Sequence, residues 1–194
     1  MNQEVIDGYV QDNESPYHNM NMAIEYEKIG QYTSAISFYL RCAERTHKID
    51  PKISYECLIH MGECFDKQGR RGKTAQSCWR KALTMLPKRP EAYYYLARMA
   101  NWNCYHDEGY TLTTQALLIC DFDDPLQNTT YINPESYKSC ILFDKGYSCW
   151  YWGKFDEGKK IFLDLYENHY SDLPEYQRDT LFDYLKNKYE VEGL

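Results

Sequence analysis

The chain has 194 residues, enough for one domain or a short repeat array. Hydrophobic residues make up 43%, a globular proportion. Only 10 Gly and 7 Pro, with Val and Thr sparse, favour helix over sheet. A net charge of −7 without any long Lys/Arg run excludes the clustered basic surface that nucleic-acid binding requires, and favours basic or neutral partners.

The opening stretch MNQEVIDGYVQDNESPY has neither a basic region nor an apolar run, so no signal peptide is expected and residues 1–14 read as a loose arm. Ser15-Pro16 reads as a helix cap followed by proline at the first helical position. The helix it opens carries MAIEY from Met22 and runs to Gly30, which is placed to end it in a left-handed turn. GQYTSAISFYLRCAE then begins a second helix. The pairing recurs with MGECF from Met61 before GRRGKTAQSCWRKAL, with LARMA from Leu96 before CYHDEGYTLTTQALL, and with KGYSC from Lys145 before GKFDEGKKIFLDLYE. Each first helix has a small residue (Ala23, Gly62, Ala97 or Gly146) that allows a close approach. Each second helix has a stripe at intervals of four and three: Ala35, Tyr39, Cys42; Ala75, Trp79, Ala82; Gly109, Thr113, Ala116; and Gly158, Phe162, Leu165. The unit is therefore a helical hairpin, repeated four times.

The expected hairpins cover about residues 15–51, 52–89, 90–118 and 135–172, with an inserted loop at 119–134. PEYQRDTLFDYLKNKYEVEGL follows, with Tyr176, Leu181, Tyr184, Leu185 and Tyr189 at helical spacing. Residues 173–194 are thus expected as a capping helix and tail, since a terminal repeat must cover an apolar face that has no further neighbour.

These residues resemble the tetratricopeptide repeat. From Ala35 to Ala75 to Gly109 to Gly158 the spacings are 40, 34 and 49 residues, and the middle one equals the family period of about 34. The resemblance spans roughly Ser15 to Tyr170, with Thr113 in place of a usual aromatic and Lys145 in place of a usual leucine. It implies an all-α, right-handed superhelical solenoid with a concave face for protein or peptide partners, basic or aromatic and apolar in character. More narrowly, Arg89 to Glu167 resembles the helical region that accompanies glycosyltransferases in some bacterial and viral proteins. That resemblance implies an accessory role near such an enzyme. A catalytic domain would need strand–helix alternation, which this chain lacks, so a non-enzymatic adaptor or scaffold is expected.

Projected onto the concave face, the first helices supply Tyr17, Met20, Ile24 and Glu27, then Glu56, Ile59, Glu63 and Asp66. The next two supply Tyr94, Arg98, Asn101 and Trp102, then Phe143, Tyr147, Trp150 and Tyr151. One end is acidic and the other aromatic, a mixture suited to a peptide laid in the groove. The competing reading is a solvated face whose last aromatics are covered by residues 174–190. In CWYWGKF, Trp150 and Trp152 lie about 200° apart on a helix and cannot form one stacking platform.

The eight Cys form no C-x-x-C pair and read as free thiols in a reducing, cytoplasmic setting. No apolar stretch approaches the roughly 18 residues of a membrane span. Of His18, His47, His60, His106 and His169, only His106 has a loose ligand set, Cys104 and Asp107, and no metal or cofactor is expected. GKT at Gly72 to Thr74 lacks the upstream glycine of a phosphate loop. Asp121 and Asp123, in CDFDDPLQNTTYIN, form an Asp-x-Asp, which without a nucleotide-binding fold reads as loop composition. That insertion is also a candidate wall of the groove.

Overall fold

A computed structural model describes residues 1–122 and 135–193. Among these there are ten α-helices and no strand. They are α1 (Gln3–Gln11), α2 (Pro16–Lys28), α3 (Tyr32–Thr46), α4 (Pro51–Lys67), α5 (Gly72–Met85), α6 (Pro90–Trp102), α7 (His106–Ile119), α8 (Glu135–Tyr151), α9 (Phe155–Asn168) and α10 (Glu175–Asp183). A π-helical turn, Tyr184–Lys188, extends α10. The helices gather into two compact units, one from residues 1–87 and one from the described residues after Pro87.

Helix starts follow local chemistry. The Ser15 side chain accepts from the His18 backbone N–H at 3.4 Å, with Pro16 as the first helical residue. Asp50 caps α4 in the same manner before Pro51. Gly30, Gly69 and Gly153 hold φ of 74°, 72° and 77° in the turns inside three hairpins, a region that costs glycine nothing. The α6–α7 turn has no glycine, and Cys104 takes that conformation at φ 62°. Residues 3–11, expected as part of a loose arm, are helical instead. Asn2 caps α1, and Tyr9 packs edge-on against Phe38 of α3, with ring centroids 5.3 Å apart.

In the first unit α2 packs on α3, α3 on α4 and α4 on α5. Its core joins Met20, Ala23, Tyr39, Cys42, Cys57, Met61 and Cys64. In the second unit α6 packs on α7, α7 on α8 and α8 on α9, with α6 also against α8. There Phe143, Phe162, Leu165, Leu173, Leu181, Tyr184, Leu185 and Tyr189 form one cluster, so α10 and the π turn cover the apolar face of the last hairpin. All eight cysteines are free, and Cys42, Cys57, Cys64, Cys140 and Cys149 are buried.

Two hairpins turn on a glycine under an aromatic ring. A Cβ at Gly62 would overlap the Trp79 indole, and one at Gly146 would overlap the Phe162 ring. Trp79 is 2% exposed and its Nε1 donates to the Ile59 carbonyl at 3.3 Å, so the indole has little freedom to retreat. Gly62→Ala should therefore cost on the order of 1–3 kcal/mol, the usual range for overpacking. Adding Trp79→Leu should recover part of that loss in a thermal-melt double-mutant cycle, and strictly additive losses would refute the contact.

Candidate functional site

In the first unit the acidic residues expected in a groove meet a histidine. Glu27 on α2 faces His60 on α4, with Oε2 to Nδ1 at 3.1 Å, and Glu63 lies 3.7 Å from the same nitrogen. Tyr39 donates its hydroxyl to Glu27 Oε2 at 2.7 Å, and Lys67 Nζ lies 3.0 Å from Glu27 Oε1. The Tyr39 and His60 rings stack at 5.2 Å.

Burial alone would raise the Glu27 carboxyl, but hydrogen bonding and charge from His60, with Tyr39 and Lys67, hold it at about 2. Burial would likewise lower His60, but Glu27, with Glu63 and Glu56, pushes it above its usual range. Glu27, His60 and Glu63 are the described residues whose ligand atoms approach closely enough to hold a metal ion. Lys67 is a cation already in place, and His60, pushed toward its charged form by Glu27, joins it in an ion-pair network. The histidine singled out from sequence does something else. His106 Nδ1 lies 3.2 Å from Asn101 Oδ1, and its ring stacks on Tyr151 at 4.5 Å.

Other residues expected on this face divide. Met20, Glu56 and Ile59 are buried, facing inward rather than into a groove, because their positions on the helix fall toward neighbouring helices. Ile24 is half-buried against the core, whereas Tyr17 and Asp66 are exposed.

In the second unit the aromatic end forms a pocket. Its 250 Å³ cavity is lined by Arg98, Asn101 and Trp102 of α6, by Phe143, Asp144 and Tyr147 of α8, and by Tyr176, Gln177 and Thr180 of α10. Five of these, Arg98, Asn101, Trp102, Phe143 and Tyr147, were expected from sequence. The structure places them differently in depth. Trp102 stands at the rim, 83% exposed, while Phe143 and Asn101 are buried. Asn101 ties the helices together: its Nδ2 donates to the Asp144 carbonyl at 3.1 Å, and its Oδ1 accepts from Ser148 at 2.8 Å. Gly109 leaves room for this amide, since a Cβ there would come within 2.6 Å of Asn101 Oδ1.

Tyr94 is also buried, and its hydroxyl accepts from Arg98 at 3.2 Å. The Arg98 guanidinium lies over the Tyr94 and Tyr176 rings at 5.9 and 5.6 Å. Trp150 turns away from the groove and packs edge-on against Tyr184 and Tyr189, because the π turn brings those rings over α8. Tyr151 is exposed, and its hydroxyl accepts from Tyr184 at 3.0 Å. Lys145, in the place of a usual leucine, reaches Glu157 at 2.8 Å and lies over the Tyr110 ring.

Sequence reasoning missed Asp144 and Gln177. Asp144 is 6% exposed and Gln177 1% exposed, and neither Asp144 Oδ2 nor Gln177 Oε1 has a hydrogen-bond partner among the described residues. Burial pushes the Asp144 carboxyl up to about 7, against the opposing influence of Arg98 and Asn101. Asp123, and with it the Asp-x-Asp pair, lies outside the described residues, as does most of the insertion.

No protein-family model matches the chain, and no curated protein matches it. Among solved structures the chain is similar to one titled "Crystal structure of MamA protein". The TM-score is 0.59 at 16% identity, covering 94% of this chain and 99% of that one. The likeness is one of fold: an all-α array of helical hairpins of the tetratricopeptide type. Among the described residues no helix is long and apolar enough to cross a membrane.

The first unit's network has a calculable pH signature. Glu27 contributes stability above its unfolded value of about 4.5, lost as pH falls toward 2. His60, raised on folding, contributes stability fully below about 6.5, lost as pH rises through its higher folded value. Together they give a maximum between about pH 4.5 and 6.5. His60→Asn should thus lower the melting temperature more at about pH 6 than at about pH 9. An equal loss at both would show that the charge on His60 contributes nothing.

Proposed function

We propose that the chain is a non-enzymatic adaptor that binds a segment of a partner protein through the pocket between α6, α8 and α10. The supporting observation is the pocket itself. Exposed Trp102 at its rim and half-buried Tyr147 in its wall surround buried polar groups, the pattern of a site that fixes a ligand's orientation while burying apolar surface. Rigid hairpin helices hold those side chains in place before a partner arrives, so little ordering cost falls on this chain. The eight free thiols favour a reducing compartment such as the cytoplasm.

The sequence resemblance between Arg89 and Glu167 names one class of partner, a glycosyltransferase acting in glycan or cell-surface assembly. Co-purification with such an enzyme is the test of that finer reading.

The adaptor reading predicts that a random peptide library selected against the immobilised chain yields binders that lose roughly tenfold or more in affinity to a Trp102→Ala, Tyr147→Ala variant, as truncated aromatic anchors do. Circular dichroism would confirm that the variant is folded. A library that yields no binder, or binders indifferent to the two substitutions, would sink the assignment of the pocket.

A further inference from the structure

The chemistry of the same pocket identifies what enters it, an inference that rests on the adaptor reading above. Its floor is unusual. A buried carboxylate oxygen, Asp144 Oδ2, and a buried amide oxygen, Gln177 Oε1, both lack hydrogen-bond partners among the described residues, and both belong to residues that line the cavity. Unpaired polar atoms in an apolar setting are costly, and the cost is recovered only when a donor arrives. Thr180 adds a third acceptor. Its hydroxyl already donates to the Tyr176 carbonyl at 2.8 Å, so what it can offer the cavity is lone pairs.

The nearest cation of the pocket does not meet this need. Arg98 donates to the Tyr94 hydroxyl and rests on the Tyr94 and Tyr176 rings. It acts on the Asp144 carboxylate through space without bonding Oδ2. A metal ion is a poor candidate, since hard cations take six or more oxygens and only one charged ligand is present. An anion would meet the carboxylate.

We propose that the pocket receives the side-chain ammonium of a lysine on the partner polypeptide, with Asp144 Oδ2, Gln177 Oε1 and Thr180 Oγ1 accepting its three N–H groups. The lysine has the right parts. Its ammonium carries three donors and no acceptor, and its stem of four methylenes is slim enough to bring the charge to acceptors that lie below the surface. Phe143, Tyr147 and Trp102 offer that stem aromatic surface, and ring faces also attract the cation. The net charge of −7 favours approach of a basic partner.

The probe is a capped peptide, acetyl-Gly-Ala-Lys-Ala-Gly-amide, titrated into the full chain and followed by NMR shifts of the Trp102 indole and the Gln177 side-chain amide. Saturable shifts are expected. Replacing the lysine by Nε-acetyllysine or norleucine should weaken binding by at least about tenfold, and Asp144→Asn should do the same to the lysine peptide. No saturable shift, equal binding of the norleucine peptide, or tighter binding of an arginine peptide would each overturn the lysine assignment. The acetyllysine comparison needs no variant, so a folding defect in Asp144→Asn leaves the question answerable. Library peptides that depend on Trp102 and Tyr147 but carry no lysine would leave the adaptor reading standing and remove this one.

Discussion

The close approach of paired helices is the constraint from which the rest of this structure follows. Where Gly62 meets Trp79, and again where Gly146 meets Phe162, an aromatic side chain occupies the space that a Cβ would fill. Each ring is thereby fully enclosed, and dispersion contacts over its whole surface fix the angle and depth of the pair. The third hairpin solves the same problem with polar groups. Thr113 stands where the aromatic would be and donates to the Gly109 carbonyl at 2.9 Å, while Gly109 leaves room for Asn101. Asn101 then reaches across to α8 and binds the Asp144 backbone and Ser148. The substitution that makes this repeat irregular is thus part of what ties α6 to α8, and it puts polar groups beside the pocket.

Glu27 in the first unit and Asp144 in the second are held in opposite ways. In the first, every oxygen of Glu27 is matched: Tyr39 and His60 share one and Lys67 takes the other. A carboxylate so surrounded is held ionised, and the network is self-contained. In the second, Asp144 sits deeper and has less. Burial outweighs the influence of Arg98 and Asn101, and one oxygen is left over. By the usual magnitudes a missing hydrogen bond at a buried group costs about 1–3 kcal/mol, so such a residue is a liability to folding unless something outside the chain completes it. This contrast is why the site of Asp144, not that of Glu27, carries the functional reading.

What the sequence disclosed was whatever depends on neighbours a turn or so away. The stripes at intervals of four and three, the capping Ser15 and the three turn glycines are all settled within a few residues, and each has its place in the structure. Depth was harder. Tyr94, Asn101 and Phe143 lie near the boundary between the open face and the helix–helix seam. One residue step turns a helix by about 100°, so a helical projection cannot tell a wall from a floor there. Meetings of distant residues were not visible at all, because Glu27 and His60, paired across helices, and Asp144 and Gln177, lining one cavity, are brought together only by the folding of separate helices. One clue to Asp144 was present. It follows Cys140 by four residues and precedes Ser148 by four, placing a carboxylate on a stripe of small, inward-facing residues.

The last helix has two effects that cannot be separated. An uncovered terminal hairpin would expose Phe143, Phe162 and Leu165, and α10 with its π turn covers them with Leu181, Tyr184 and Leu185. The residues of α10 that cover the core are interleaved with those that shape the pocket, since Gln177 and Thr180 line the cavity while Leu181, next in sequence, is fully buried. The π turn widens the helical repeat by one residue, a distortion often found at functional sites. Here it accompanies the seating of Tyr184 and Tyr189 against Trp150, which takes Trp150 out of the open face, while Trp102, Tyr147 and Tyr176 line the pocket. Capping the array and shaping the pocket between α6, α8 and α10 are therefore one structural event, and any change that loosens α10 must alter both.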